Sequence, residues 1–462
     1  MLTLAGCPTT EPATDTFIAR DTGGTVDTGI PVDTNVRTDT PGAVTDAGQL
    51  SIAAIASADP RFSTLVAAAT RVGIVPVLSA PGTLTIFAPT NDAFTASGLT
   101  ATAIAALTDQ QLLAVLTYHG LATEVPASAI TPGPVATLST FTAFLGVAGS
   151  NVTINGGNAV MGGANVVTAN IEASNGVIHV IDRVLLPPTI PRLAVYGGLS
   201  TLVTQVTLAR LDDDLSAAGP FTVFSPTNAA FTAAGTLPGG AALERVLLNH
   251  VVNGAVPSTA IPARANSLAT NAFGNNLTLL FNTTSGVRIN GGPTVPTATV
   301  NLRATNGIVH LVDGVIPTMN VVQAATAAGL TGLTAAVGAA APIPGGGAPT
   351  PLATALAAEV GYTVFAPTNM AFTDAMPITS TLSAAQLRDV LLFHVLSPTM
   401  RPVLSTALPA TAGPLDTLNG ADIAFIPTGP TFQTRSLAPG LFDINVTNGV
   451  IHVINGVMIP AT

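Results

Sequence analysis

The sequence predicts three tandem domains, each mixing helices with strands, and two observations carry this reading: two long motifs recur three times in the same order, and apolar spacing inside each copy alternates between helical and strand-like. The first motif is Thr85-Ile86-Phe87-Ala88-Pro89-Thr90-Asn91-Asp92-Ala93-Phe94, repeated from Thr222 to Phe231 and from Thr363 to Phe372. The second is Asn175-Gly176-Val177-Ile178-His179-Val180-Ile181-Asp182, repeated from Asn306 to Asp313 and from Asn448 to Asn455. The spacing is 131 residues from His179 to His310 and 142 from His310 to His452. Solenoid repeats are far shorter and cannot bury a core alone, so each copy is a domain. The length of 462 residues agrees, at about 150 residues per domain.

Within the first copy, Phe62, Leu65, Val66, Ala69 and Val72 form an apolar stripe at helical spacing, which predicts a core-facing helix. Thr85-Ile86-Phe87 reads as a strand, and Pro89-Thr90-Asn91 stops it and supplies side-chain oxygens to cap the next helix. A further helix opens at Thr108 with Gln111 three residues on, a capping box that returns as Ser383 and Gln386 in the third copy. The second copy has Gly239 there, which predicts a weaker cap. Val177 to Ile181 is apolar on both alternating faces, as a buried central strand requires, and Asn175-Gly176 before it is a turn signal. From the core-helix residue to the Phe of the first motif is 25 residues in copies one and two but 35 in copy three, Leu330 to Phe365. An added loop around Pro342-Ile343-Pro344-Gly345 accounts for the excess.

These motifs resemble the fasciclin (FAS1) family: a "TVFAPTNxAF" box, a helix ending in an aromatic-His pair, and a closing "NGVIHVID" box. The pair is Tyr118-His119 and Phe393-His394 but Asn249-His250 in the second copy. The resemblance covers nearly everything from about Ser51 onward. It implies an α+β fold, small β-sheets packed at an angle with helices along one side, in domains at residues 49–188, 189–318 and 319–462. It also implies a cell-surface or matrix adhesion role, with an apolar small-ligand carrier, as for a carotenoid, as the alternative. Integrin binding is not carried over, because Pro126 to Ile130 and Pro257 to Ile261 contain no acid.

Residues 1–7 read as an anchor, since Leu4-Ala5-Gly6-Cys7 resembles a bacterial lipobox whose Cys7 becomes lipidated, although only six residues precede it. Residues 8–48 are rich in Thr, Asp, Pro and Gly and cannot bury enough apolar surface to fold. Seven acids (Glu11, Asp15, Asp21, Asp27, Asp33, Asp39 and Asp46) against two bases (Arg20 and Arg37) give this tether a net charge of −5 and keep it extended. The expected location is therefore the cell envelope or cell surface, with the membrane reached only through a lipid at Cys7.

Composition narrows the partners. Charged residues are only 8% and the net charge is −10, with no basic cluster to meet a nucleic-acid backbone or an anionic lipid surface. The single cysteine permits neither an intrachain disulfide nor a Cys-based metal site. Met319 to Ala358 carries no charge and invites a membrane-span reading. Pro342, Pro344, Pro349 and Pro351, with Asn320 and Gln323, break that reading and leave an Ala-rich core helix plus a loop.

The six histidines fall two per copy: His119 with His179, His250 with His310, and His394 with His452. The first continues a helical stripe (Leu112, Val115, Leu116, His119) and the second shares a strand face with apolar neighbours, so both point inward as neutral, hydrogen-bonded imidazoles. No metal site is expected, since zinc needs three or four clustered ligands. No cofactor is expected. G-x-S-x-G, H-E-x-x-H, P-loop and G-x-G-x-x-G signatures are absent, and the acid at Asp182 and Asp313 becomes Asn455 in the third copy, so an enzyme is not expected. Asn151 and Asn445 begin glycosylation sequons. The adhesive partner itself, a surface or matrix component, has no readable code in the sequence.

Overall fold

The computed structural model describes residues 49–149, 151–158, 162–344, 348–358, 360–398, 402–409, 411–427 and 431–460. Cys7 and the segment 8–48 lie outside the described residues.

In the first repeat the chain forms α1 (Ile52–Ala58), α2 (Ser63–Arg71), α3 (Val75–Ser79), β1 (Leu84–Pro89), α4 (Asn91–Ala96), α5 (Ala101–Ala106) and α6 (Asp109–Tyr118), then β2 (Gly120–Leu121), β3 (Gly133–Ala136), β4 (Thr142–Ala148), β5 (Asn151–Ile154), β6 (Ala164–Ala173) and β7 (Gly176–Ile181). The expected stripe is split. Phe62 closes a 3₁₀ turn, Pro60–Phe62, capped by the Asp59 carboxylate, and α2 begins only at Ser63. Pro60 sits at the start of that turn, where its missing N–H is not needed.

The capping predictions resolve residue by residue. Thr108 with Gln111, and Ser383 with Gln386, form complete capping boxes. In the second repeat the helix Ala241–Leu248 begins one residue later than Gly239 suggested, behind Gly240, which has no side chain to cap with. In the Pro-Thr-Asn corner the threonine does the capping: Thr90, Thr227 and Thr368 accept the N–H of Ala93, Ala230 and Ala371. The asparagine makes a connection that the sequence pattern does not announce. Asn91, Asn228 and Asn369 accept the N–H of Thr64, Thr201 and Gly332 and donate to the carbonyls of Pro60, Gly198 and Gly329. Each one ties its helix to the start of the preceding core helix.

The strands of the first repeat form one seven-stranded sheet in the order β2-β1-β7-β6-β5-β4-β3. β7 is buried throughout and lies between β1, its parallel partner, and β6, its antiparallel partner. β6 is ten residues long, and its two register shifts against β7 mark bulges that bend the strand. The small angled sheets implied by the resemblance are thus halves of one curled sheet here. The second repeat joins an eight-stranded sheet through Val251–Asn253 and Arg264–Thr270. In the third repeat the described strands form a three-stranded and a four-stranded sheet. There Ile444–Val446, at the place of the end of β6, is only three residues long and does not bridge the two.

Alternation along β7 feeds two cores. Ile178 and Val180 pack with Ile52, Phe62, Ile86 and Ala88 under the helices, and Ile181 packs with Phe87, Tyr118, Leu121 and Leu145 on the other side. Each such fully buried side chain contributes about 1.5–3 kcal/mol of transfer free energy. In the third repeat Val321–Ala327, Thr331–Ala339 and Leu352–Leu356 are three separate helices, with Ile343 and Thr350 pairing across the extra loop. Among the described residues, no helix is long and apolar enough to cross a membrane.

Candidate functional site

The first histidine of each pair ends a helix and spends both ring nitrogens on backbone. Nδ1 of His119, His250 and His394 lies 2.8 Å from the carbonyl oxygen of Val115, Val246 and Val390, one helical turn back. Nε2 receives the N–H of Leu185 at 2.9 Å, Ile316 at 2.8 Å and Met458 at 2.9 Å. A carbonyl can only accept and an N–H can only donate, so Nδ1 carries the single proton and the ring is neutral. Burial away from water pushes all three down to about 4, against a smaller upward pull from the carbonyl bond.

The second histidine sits in the closing strand with the opposite tautomer. Nε2 of His179, His310 and His452 donates to the carbonyls of Val125, Val256 and Val403 at 2.9, 2.9 and 2.7 Å. Nδ1 accepts the N–H of Asn170, Asn301 and Asp443. Each ring stacks on the Phe of the first motif, Phe87, Phe224 or Phe365, with centroids 5.6–5.7 Å apart. Burial again holds them below the ordinary imidazole range, and the carbonyl bond opposes it. At His452 the Asp443 carboxylate, 3.7 Å away, adds a further upward pull.

The sequence motifs bring the two histidines of a pair into one domain core but not into one cluster. Among the described residues, no group of three or more His, Cys, Asp or Glu side chains could hold a metal ion. The acid after the closing strand holds neighbouring backbone in place. Asp182 and Asp313 accept the N–H of Asn165 and Thr294, and Asn455 accepts that of Ser436 at 2.9 Å. An amide oxygen serves as well as a carboxylate there, which explains the change in the third copy.

Two features went unread in the sequence. The Asn of the closing Asn-Gly is a three-way tie: Asn175, Asn306 and Asn448 accept the N–H of Ile52, Ile190 and Val321, and donate to Leu78 and Ala80, Leu215 and Ala217, and Leu356 and Ala358. Its recurrence in all three copies beside the glycine was the available signal. The other is an apolar crevice under the helices of every domain, reached by the first histidine. Its volume is about 310 Å³ in the first domain (Val66, Ala69, Val75, Leu78, Ile86, Leu116), about 310 Å³ in the second (Ile190, Val206, Leu211, Leu215, Val223, Leu247) and about 280 Å³ in the third (Val322, Leu333, Val337, Leu356, Val364, Leu391). Crevice residues such as Leu65 and Val66 are only half-buried because they line it.

Comparison with known proteins finds three matches along the chain. The Fasciclin domain family model matches residues 60–187, 197–318 and 348–460. Protein sll1483 of Synechocystis is 39% identical over 150 residues, covering 32% of this chain and 78% of that protein. Immunogenic protein MPB70 of Mycobacterium bovis is 37% identical over 158 residues, covering 32% of this chain and 75% of that protein. Transforming growth factor-beta-induced protein ig-h3 of Sus scrofa is 28% identical over 422 residues, 89% of this chain but 58% of that protein. A FAS1 domain pair from the insect cell adhesion molecule fasciclin I matches at 16% identity with a TM-score of 0.38, covering 56% of this chain and 97% of that one. With matches over well more than half its length, each spanning the motifs and the paired histidines, the chain belongs to the fasciclin domain family.

Proposed function

We propose that this protein is an adhesion protein of the bacterial cell envelope that binds through its three FAS1 domains together, held off the surface by the acidic segment 8–48 and anchored through a lipid on Cys7. One observation carries the reading: every histidine of the family motifs is neutral, buried and committed to backbone on both nitrogens, so the motif residues build the domain and leave its surface to do the work. That surface is poor in charge, in keeping with broad weak contacts instead of electrostatic docking. The partner is a surface, matrix or envelope component; neither nucleic acid nor a resident cofactor is part of the reading.

A second reading, carriage of an apolar small ligand such as a carotenoid, is favoured by the crevice that all three domains share. The two readings part experimentally. Deleting the gene should reduce surface attachment and cell aggregation, and the protein purified from its host should be colourless. Unchanged attachment together with a co-purifying visible absorption band would replace the adhesin by the carrier.

A further inference from the structure

The contact between the first and second domains is repeated between the second and third, with corresponding positions in the same roles. Phe144 and Leu280 are counterparts, because each N–H is bound by an asparagine, Asn155 at 3.0 Å and Asn290 at 2.9 Å, whose own N–H returns to the Phe144 or Leu280 carbonyl. Two residues earlier stand Thr142 and Thr278. Thr142 Oγ1 accepts the N–H of Arg303 in the second domain at 2.8 Å, and Thr278 Oγ1 accepts the N–H of Asn445 in the third at 3.0 Å. Arg303 and Asn445 occupy one register position, opposite Ile308 and Val450 of their closing strands. Phe144 packs into the core cluster of the second domain with Leu193, Leu302 and Val309, and Leu280 into that of the third with Ala324, Ile444 and Ile451.

A contact of this kind, from one face to a different face, can continue indefinitely. Its two outer copies are altered. In the third domain the donor strand Asp422–Ile426 carries Asp422 and Ala424 in place of Thr and Phe or Leu, and both are exposed; Ala424 is fixed as the counterpart by the bond from Gln433 N–H to its carbonyl. In the first domain the face that corresponds to the receiving one differs where α1 ends. Gly197-Gly198 and Ala328-Gly329 are replaced by Asp59-Pro60-Arg61, one residue longer. A side-chain atom on Gly197 would press on the Phe144 ring, so this position must stay small to admit the incoming side chain. Arg61 instead pairs with Asp59 at 2.7 Å and lies over the ring of Phe62, the counterpart of Leu199, which lines the crevice that takes Phe144.

We propose that the domain joint is a directional socket for a Thr-x-Phe/Leu strand of another fasciclin domain, and that Asp59 with Arg61 at one end and Asp422 with Ala424 at the other keep chains from joining through it. The partner the socket fits is a second copy of this chain, and the protein as it stands refuses that copy. This rests on the family fold and not on the adhesion reading, so failure of either leaves the other standing.

The test uses the full chain. One variant restores the donor (Asp422→Thr with Ala424→Phe), and another opens the receiver by replacing Asp59-Pro60-Arg61 with two glycines. Sedimentation velocity should give single chains for the wild type and for each variant alone, two-chain complexes for the equimolar mixture, and a concentration-dependent ladder for a chain carrying both changes. A mixture of the two variants, each folded by circular dichroism, that stays single-chain overturns the proposal, and so does a wild type that already associates through these ends. A reading independent of the variants is amide exchange: Arg303 and Asn445 should be protected and their counterpart Glu172, for which no threonine among the described residues takes the N–H, should exchange faster. Equal protection of Glu172 overturns the account of the joint.

Discussion

His119 Nε2 accepts the backbone N–H of Leu185 at 2.9 Å, fastening the end of α6 to the chain that leaves β7, 66 residues further on. The same bond closes the second and third domains through His250 to Ile316 and His394 to Met458. A protonated ring could not accept it, which makes proton binding and this fastening mutually exclusive.

Acid should therefore unfold the domains through these three rings. Their folded values near 4 lie below the unfolded reference of about 6.5, so between those limits the unfolded chain binds more protons. Stability is fully present above about pH 6.5 and falls as pH drops toward 4, by on the order of 3 kcal/mol per domain at the limit. Urea titrations from pH 7.5 to 4.5 should show falling midpoints; midpoints flat over that range would remove the claim.

Asp443 should hold the His452 ring above where burial alone would place it. Asp443 stands where the first two domains have Asn170 and Asn301, and its carboxylate favours the charged ring. Asp443→Asn should lower the His452 titration midpoint, read from its ring signals by NMR, and leave His179 and His310 untouched. An unchanged midpoint would mean that the pair does not interact.

Replacing the three-way asparagine should be costly. Asn175→Ala strands the buried Ile52 N–H and the part-buried Leu78 carbonyl, at about 1–3 kcal/mol for each orphaned group, while the carbonyl of exposed Ala80 can turn to water. Denaturant unfolding of the first domain should lose roughly 3 kcal/mol or more, against near neutrality for Asn151→Ala at an exposed position.

Gly176 should tolerate no side chain. Its φ is 140°, and a Cβ there would overlap the Leu84 carbonyl oxygen, because β1 and β7 start side by side. Gly176→Ala should destabilise the first domain by several-fold more than Gly82→Ala, where a Cβ meets open space. Thermal melts of the two variants give the comparison.

What the sequence disclosed was what repeats with local logic: the capping boxes, the buried closing strand, and the inward histidines all follow from periodicity and spacing. What it hid depends on contacts across the fold. Thr142 and Phe144 carry no sequence mark of a joint, and it is the neighbouring domain that covers their face of β4. The crevice was equally hidden, since half-buried Leu65 and Val66 have the same spacing as a core stripe. Asn445, a sequon by sequence, is buried at the joint between the second and third domains, where Thr278 takes its N–H. Asn175 was read as a turn residue because its partners, 95 to 123 residues away, carry no sequence mark.

The anchor has its own test. Lipidation at Cys7 predicts that the native protein partitions with membranes, that Cys7→Ser releases it, and that mass spectrometry finds the mature chain beginning at a modified Cys7. An unmodified chain, or one beginning elsewhere, contradicts it.

The central claim is that the domains adhere together, and the direct measurement is attachment strength against domain number. Linked weak contacts form at high effective concentration, so cutting three folded domains (residues 49–462) to one (49–188) should reduce attachment by far more than threefold, on the order of 10²-fold. A single folded domain that keeps a third or more of the attachment would contradict the account.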